Sequence, residues 1–210
     1  MSATEISPAF AARRARIVEA AARLFAEAPY AAVHMDAIAA AALVAKPTLY
    51  RYFPHKELLF VEALEQTLTQ LRIEIEDIRA EPGPVERRLR RMIALILTRV
   101  GRLAPAIQAS ETASSQSAAD SRRVLRQGFR NLRAAIGSIV AEGGRDGDFA
   151  PVDPDLAALA ILGSVRMAAH ARIGAHELSD AVADLFINGL RAAEARSRRA
   201  APALTSGAFA

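Results

Sequence analysis

The sequence contains no cysteine and no tryptophan, and aromatic residues make up only 5% of its 210 residues. The absence of cysteine excludes disulfide bonds and thiolate metal sites. Long apolar runs are also missing, since no uncharged stretch approaches the roughly 18 residues that a membrane-spanning helix needs. Residues 1–14 lack the apolar segment of a secretory signal. We therefore expect a cytoplasmic protein that has no membrane partner.

Residue patterns typical of enzymes are absent from the sequence as well. It has no serine elbow, no glycine-rich phosphate loop and no pair of acids in a catalytic pattern. The four histidines, His34, His55, His170 and His176, do not form a metal-ligand spacing backed by carboxylates. We therefore expect a protein that is not an enzyme and that uses no cofactor and no metal.

Charge is distributed unevenly along the chain, whose net charge is +4. Residues 1–56 hold 7 Lys/Arg and 4 Asp/Glu, a net of +3, whereas residues 57–190 hold 16 and 18, a net of −2. A basic first segment is compatible with binding to phosphates. A solvated surface gives similar counts, so charge alone leaves both interpretations open.

The spacing of apolar residues predicts helices throughout, and the predicted fold class is all-α. In the first helix, Ile17, Ala21 and Phe25 fall on one face. Pro105 is expected to interrupt the fifth helix, and the Ser/Ala-rich residues 113–121 are expected to form a mobile connection. Helices are predicted at about 8–28, 35–42, 46–52, 56–79, 85–103, 122–142, 154–173 and 177–199.

Residues 37–59, AIAAAALVAKPTLYRYFPHKELL, carry the most informative pattern in the chain. They predict two short helices joined by a tight turn, which after a longer helix make a helix-turn-helix. The first short helix must pack on the preceding helix through Ile38, while Val44 and Leu49 are placed to face the core. The side chains expected to face outward from the second short helix are Lys46, Thr48, Tyr50, Arg51 and Tyr52.

From Arg16 (RIVEAAARLFAEAPYAAV) through MDAIAAAALVAKPTLYRYFPHKELLFVEAL the sequence closely resembles the TetR (tetracycline-repressor-like) family of regulators. The segment K-P-T-L-Y-R-Y-F-P-x-K-E-x-L is highly specific to that family. The resemblance implies an N-terminal three-helix DNA-binding head in residues 1–56 and a helical effector-binding and dimerisation body in residues 57–200. Residues 201–210 are expected to be a disordered tail.

The resemblance also implies roles for individual residues of the motif. Lys46, Pro47 and Thr48 would begin the recognition helix, where the family contacts base edges in the major groove. Lys56 would grip the DNA backbone, and most contacts would be electrostatic and set the register of the protein on DNA. The DNA contacts implied are His34, Met35, Lys46, Pro47, Thr48, Tyr50, Arg51, Tyr52 and Lys56.

The sequence departs from the family pattern at four positions of the head. Leu43 stands where the family has a glycine in the turn, and a left-handed leucine backbone costs roughly 1 kcal/mol. Small capping residues are usual where His34, Ala45 and His55 stand. Ala45 cannot cap the recognition helix, which costs about 1 kcal/mol. These departures keep open an alternative function, a dimeric helical module that binds a small molecule or protein and whose DNA binding is weakened or lost.

The last two predicted helices are apolar over a wide arc, and small residues would let helices approach closely. An ordinary intramolecular core would give the same pattern. The resemblance favours a homodimer with a two-fold interface, and such a dimer predicts a palindromic double-stranded DNA operator with half-sites about 34–36 Å apart. The predicted interface residues are Leu156, Leu159, Gly163, Leu178, Val182, Leu185, Phe186 and Gly189.

The resemblance further implies a pocket in the body for a small-molecule effector whose identity the sequence does not reveal. Effector binding would change the separation of the two heads and release the DNA. The predicted function is therefore a transcriptional repressor that an effector removes from its operator. The residues suggested for the pocket wall are Gln108, Glu111, Phe129, Arg166 and His170.

Overall fold

The computed structural model describes residues 8–112, 116–170 and 175–191. Side chains within these ranges that it leaves out are those of residues 100–112, 166, 168–170 and 175–178. The described part confirms the all-α fold class. It holds a short 3-10 helix at Tyr30–Ala32 and eight α-helices: α1 Pro8–Glu27, α2 Met35–Ala41, α3 Lys46–Tyr52, α4 Lys56–Ala80, α5 Val85–Thr112, α6 Gln116–Asp146, α7 Pro154–His170 and α8 Ala175–Leu190.

The predicted bounds of α5 and α6 are wrong, and α8 ends at Leu190 rather than near residue 199. Helix α5 continues through Pro105 to Thr112, since losing one backbone donor does not end a helix whose remaining turns are hydrogen-bonded. Helix α6 begins at Gln116 rather than near Arg122, so most of the expected mobile connection is helical. Ala118 and Ser121 are buried there, and this packing outweighs the weak helix propensity of serine.

Two separate clusters of buried residues hold the helices together. The first cluster, which we call the head core, joins α1, α2, α3 and the start of α4 from Ile17 to Ala63. The second, the body core, joins the rest of α4 to α5, α6, α7 and α8 from Leu64 onward. Helix α4 therefore belongs to both cores. If the part of α4 from Leu64 onward is displaced, the part that packs in the head core moves with it.

Ion pairs link α5 to the helices packed around it in the body. The guanidinium of Arg88, which is buried, donates to the carboxylate of Glu142 on α6 and, at 2.9 Å, to the backbone oxygen of Arg79. Arg191, just after α8, forms two hydrogen bonds of 2.7 and 2.8 Å with Glu86. These contacts fix the register of α5 against α6 and α8. No helix of the described residues is both long enough and apolar enough to cross a membrane.

Candidate nucleic-acid interface

Helices α2 and α3 form the predicted helix-turn-helix and lie against α1. Ile38 of α2 and Leu49 of α3 are fully buried and fix the two helices on Ile17 and Ala21 of α1. Val44 of the turn is half-buried against the same core. The sequence predicted the bounds of both short helices to within one residue, because the apolar spacing and Pro47 at the start of α3 are local signals.

The turn between α2 and α3 contains a strained leucine, as predicted from the missing glycine. Leu43 has a φ of 53°, and it is the one non-glycine residue with positive φ among the described residues. The N–H of Leu43 donates to the oxygen of Ala40 at 3.1 Å, and that of Val44 donates to Ala39 at 3.0 Å. This is a Schellman motif, whose left-handed position normally holds glycine. The side chain of Leu43 is 84% exposed and gains little from packing.

Arg16 stabilises this turn from outside, through a contact that was not predicted from the sequence. Its guanidinium donates to the backbone oxygen of Ala42 at 3.1 Å and lies 3.5 Å from that of Leu43. Both acceptors lie beyond the last turn of α2, where helix carbonyls lack intrahelical partners. The contact joins residues 26 and 27 positions apart, so no local sequence pattern signals it.

The start of each helix in the motif lacks a capping side chain, as the departures from the family pattern predicted. His34, Ala45 and His55 occupy the N-cap positions of α2, α3 and α4, and none forms a side-chain hydrogen bond to the helix that follows it within the described structure. Pro47 in the first turn of α3 has no N–H to satisfy, which reduces the effect of the missing cap there.

Most of the predicted DNA contacts on α3 are accessible. The side chain of Tyr50 is 41% exposed. Those of Lys46, Pro47 and Arg51 are also exposed, whereas that of Thr48 is half-buried. His34 is exposed at the start of α2.

Two of the predicted contacts lie elsewhere. Tyr52 does not face outward as predicted, because its ring packs 4.4 Å from that of Phe10 and lies half-buried against the head core. The side chain of Met35 is buried in the same core, so it supports α2 instead of facing DNA.

Lys46 is held by a neighbouring acid in the free protein. Its ammonium lies 2.8 Å from the carboxylate of Asp36 on α2, and both side chains are exposed. The hydrogen bond and charge of Asp36 raise the pKa of Lys46 above its ordinary value. Asp36 therefore partly neutralises the charge that the recognition helix offers to DNA. A role for Asp36 was not predicted from the sequence.

Lys56 is directed inward, contrary to the prediction that it meets a phosphate at the start of α4. Its ammonium donates to the backbone oxygen of Tyr30 and lies 4.1 Å from the centre of the Tyr30 ring. Burial lowers the pKa of Lys56 and raises that of the Tyr30 hydroxyl to about 12. The aromatic ring and the carbonyl together outcompete solvent for the cation.

The predicted dimer residues divide into two groups. Leu156, Leu159 and Leu185 are 66%, 50% and 71% exposed. Apart from the neighbouring residues and backbone of their own helices, no described atom lies within 4 Å of a Cβ built on Gly163 or Gly189. Val182 instead lies in the body core, and Phe186 is half-buried against it. The side chain of Leu178 lies outside the described residues.

Of the residues suggested for an effector pocket, Phe129 is half-buried and packs against the body core. The side chains of Gln108, Glu111, Arg166 and His170 lie outside the described residues. Phe129 does not line either of two clefts that lie between helices of the described structure. One, of about 600 Å³, lies between α1, α4 and α5, and one of about 350 Å³ lies between α4 and α6. Across the described side chains, no group of three or more His, Asp or Glu could hold a metal ion.

Comparison with known families decides what kind of protein carries this arrangement. Residues 17–63 match the model of bacterial regulatory proteins of the tetR family, and residues 82–190 match the tetracyclin repressor-like C-terminal domain. The chain belongs to the TetR family. It is therefore a DNA-binding transcriptional regulator, the first of the two functions that the sequence predicted.

Individual relatives agree with this family. The HTH-type transcriptional regulator YhgD of Bacillus subtilis is 27% identical over 150 residues, which cover 71% of this chain and 78% of the relative. The HTH-type transcriptional repressor KstR of Rhodococcus jostii is 41% identical over 90 residues, 43% of this chain and 40% of KstR. The structure of FadR from Bacillus subtilis with stearoyl-CoA shares the fold, with a TM-score of 0.62, 22% identity and coverage of 84% and 99% of the two chains.

Proposed function

We propose that this TetR-family protein is a homodimeric repressor that binds a palindromic operator and that a small-molecule effector releases. The observation that carries the proposal is the outer face of α3, where Lys46, Tyr50 and Arg51 are exposed together on a helix whose inner face is anchored by Leu49. A short helix presented in this way fits the major groove of DNA. In this proposal the protein catalyses no reaction and acts in the cytoplasm, where its DNA lies.

The proposed dimer uses the exposed apolar side of α7 and α8. Leu156, Leu159 and Met167 lie on one side of α7, and Leu185 lies on α8 beside the uncovered Gly189. Exposed leucines in this number are unfavourable in water, and covering them with a second copy would stabilise both subunits. Two heads related by a two-fold axis would then read two half-sites about 34–36 Å apart.

In this proposal residues 1–56 bind DNA, and residues 57–200 bind the effector and the partner subunit. Relatives support effector control, since KstR is a repressor and FadR of Bacillus subtilis was solved with stearoyl-CoA. Helix α4 contributes to both cores and is the mechanical link that such control needs. An effector acts only if it binds the DNA-free arrangement more tightly than the DNA-bound one.

The test is a footprint of the DNA on either side of the protein's own gene, followed by the stoichiometry of the complex. We expect one protected palindrome and, by light scattering, one dimer for each short duplex that contains it. A protein that is dimeric in solution but protects no site on genomic fragments would contradict the proposal. The variant Arg51→Ala should lose protection, whereas Arg87→Ala, an exposed arginine of the body, should retain it.

A further inference from the structure

The groove between α4 and α6 combines arginines with apolar side chains. It has a volume of about 350 Å³ and opens to solvent beside the helix that joins the two cores. Its lining consists of three arginines, one glutamate, three neutral polar residues and three small or apolar residues. They are Arg72, Arg123 and Arg130; Glu65; Thr69, Gln127 and Asn131; and Leu68, Val124 and Gly128.

The three arginines of the groove are largely free of carboxylates. Arg72 and Arg130 form no ion pair among the described residues, and Arg123 lies 3.7 Å from Asp120. Arg130 donates to the amide oxygen of Gln127, which leaves its positive charge uncompensated. By contrast, Arg99 on α5 is held by both oxygens of Glu74, at 2.8 and 3.0 Å. With Glu65 as the one acid in its lining, the groove carries a formal charge of +2, from three arginines and one glutamate.

The floor of the groove is apolar and leads toward the body core. Leu68 and Val124 are half-buried and pack against that core. Gly128 lets α4 and α6 approach each other closely, since a Cβ at this position would lie 2.9 Å from Cδ1 of Leu68. An apolar chain lying along Leu68 and Val124 would replace water on these side chains while its charged end stayed among the arginines.

We propose that this groove binds an amphipathic anion, a molecule with a carboxylate or phosphate head group and an apolar chain. Guanidinium groups bind both kinds of oxyanion with paired hydrogen bonds, so Arg72, Arg123 and Arg130 would hold the head group. Leu68 and Val124 would contact the start of the chain. Glu65 disfavours the anion and lies on the α4 wall, which places the head group nearer to Arg123 and Arg130 on α6.

Occupation of the groove would act on the head through α4. Residues Glu65, Leu68 and Arg72 of α4 lie in the wall, and the same helix packs into the head core with Leu59, Phe60 and Ala63. A ligand that separates α4 from α6 therefore shifts the base of the head. This regulatory consequence rests on the proposed effector-controlled repression, whereas the binding itself does not.

Calorimetric titration of the full-length protein with palmitoyl-CoA, palmitate and free coenzyme A tests the inference, below the concentrations at which the lipids aggregate. We expect wild-type protein to bind at least one of the two lipids. The triple variant Arg72→Gln, Arg123→Gln, Arg130→Gln should bind it at least about tenfold more weakly. If the protein binds palmitoyl-CoA but not palmitate, the head group of the ligand is a phosphate. If it binds palmitate but not palmitoyl-CoA, the head group is a carboxylate.

The matched control is Arg145→Gln, which removes an exposed arginine from the same helix, about 22 Å from Arg130. It should bind the lipids as wild type does. The triple variant must have the same melting temperature as wild type, which shows that it is folded. If it does not, the single variant Arg130→Gln replaces it in the titration. The inference is overturned if wild type and triple variant bind the lipid equally, if wild type binds neither lipid, or if wild type binds free coenzyme A as tightly as palmitoyl-CoA.

Operator binding, measured on the same proteins, separates the two proposals. The triple variant should bind operator DNA as wild type does but resist release by the lipid. If wild type binds lipid through the arginines and binds no operator, the proposed function fails while the groove stands. If lipid releases the operator equally from wild type and triple variant, the groove fails while the proposed function stands.

Discussion

The guanidinium of Arg16 on α1 donates a 3.1 Å hydrogen bond to the backbone oxygen of Ala42, where α2 ends. The next residue is Leu43, whose φ of 53° is unfavourable for a side chain with a Cβ, by about 1 kcal/mol. Arg16 thus supplies a partner for a carbonyl at the point where the backbone is strained. A turn that would otherwise be loose is held, and α3 keeps its position relative to α2.

We expect Arg16→Gln to weaken operator binding about five- to tenfold, because losing a hydrogen bond of this kind costs about 1 kcal/mol in the ordering of the turn. The loss should be smaller in a Leu43→Gly background, where the turn no longer needs support. Fluorescence anisotropy of a labelled operator duplex measures both affinities.

The matched control for Arg16 is Arg13→Gln, which removes the same charge from an exposed position of α1. If the two variants lose equal affinity, Arg16 acts through its charge on DNA and the role assigned to it in the turn is wrong. If Arg16→Gln weakens operator binding equally with and without Leu43→Gly, the role assigned to Arg16 in the turn is also wrong.

Asp36 should limit operator affinity, because its carboxylate occupies Lys46 in the free protein at 2.8 Å. We predict that Asp36→Asn binds the operator about threefold more tightly, since Lys46 is then free to meet an anion and a negative charge leaves the interface. Asp77→Asn, an exposed aspartate of α4 in the body, should leave affinity unchanged. Weaker binding by Asp36→Asn would mean that the acid positions Lys46 for contact instead of withholding it.

The exposed leucines of α7 and α8 should hold the dimer together. Leu185, 71% exposed in the single chain, would be buried against the partner, so Leu185→Glu should convert the dimer to monomers. Size-exclusion chromatography with light scattering gives the mass directly. Ile73→Glu alters an apolar residue of α4 that is 42% exposed, and this control should remain dimeric. A dimeric Leu185→Glu protein would place the interface elsewhere.

The Arg88–Glu142 pair should make the body sensitive to acid. A hydrogen bond from Arg88 lowers the pKa of Glu142 below its ordinary value of 4.5. The pair therefore stabilises the fold fully above pH 4.5 and loses this contribution as pH falls through the lowered pKa. Glu142→Gln should be less stable than wild type at neutral pH and lose less stability on acidification.

Urea unfolding at a series of pH values measures the contribution of this pair. Glu76→Gln breaks the exposed pair with Arg79 and should leave the pH dependence near that of wild type. Parallel pH profiles of Glu142→Gln and wild type would show that the pair does not control acid stability.

Local patterns carried most of what the sequence predicted. The spacing of Ile38 and Leu49, the position of Pro47 and the missing glycine at Leu43 are properties of neighbouring residues, and each was read correctly. Contacts across the fold were not predictable in this way. Lys56 binds Tyr30, Arg16 reaches Ala42, and both contacts depend on how α1 and α4 pack.

The same limit applies to the body. The spacing of charged residues along a helix does not show which arginines are exposed. Arg88 is buried and pairs with the carboxylate of Glu142, 54 positions away. Pro105 was read as a breaker because its local effect is unfavourable, and the long helix α5 continues through it. The groove between α4 and α6 combines residues that lie between 51 and 66 positions apart in the sequence, so no local pattern predicts it.

The salt dependence of operator binding tests most directly whether the outer face of α3 meets DNA. Anisotropy titrations between about 50 mM and about 200 mM salt give the slope of log affinity against log salt. We predict a steep slope for wild type and a slope smaller by about one for Arg51→Ala, with Arg87→Ala unchanged. Equal slopes and affinities for wild type and Arg51→Ala would contradict the placement of α3 on DNA.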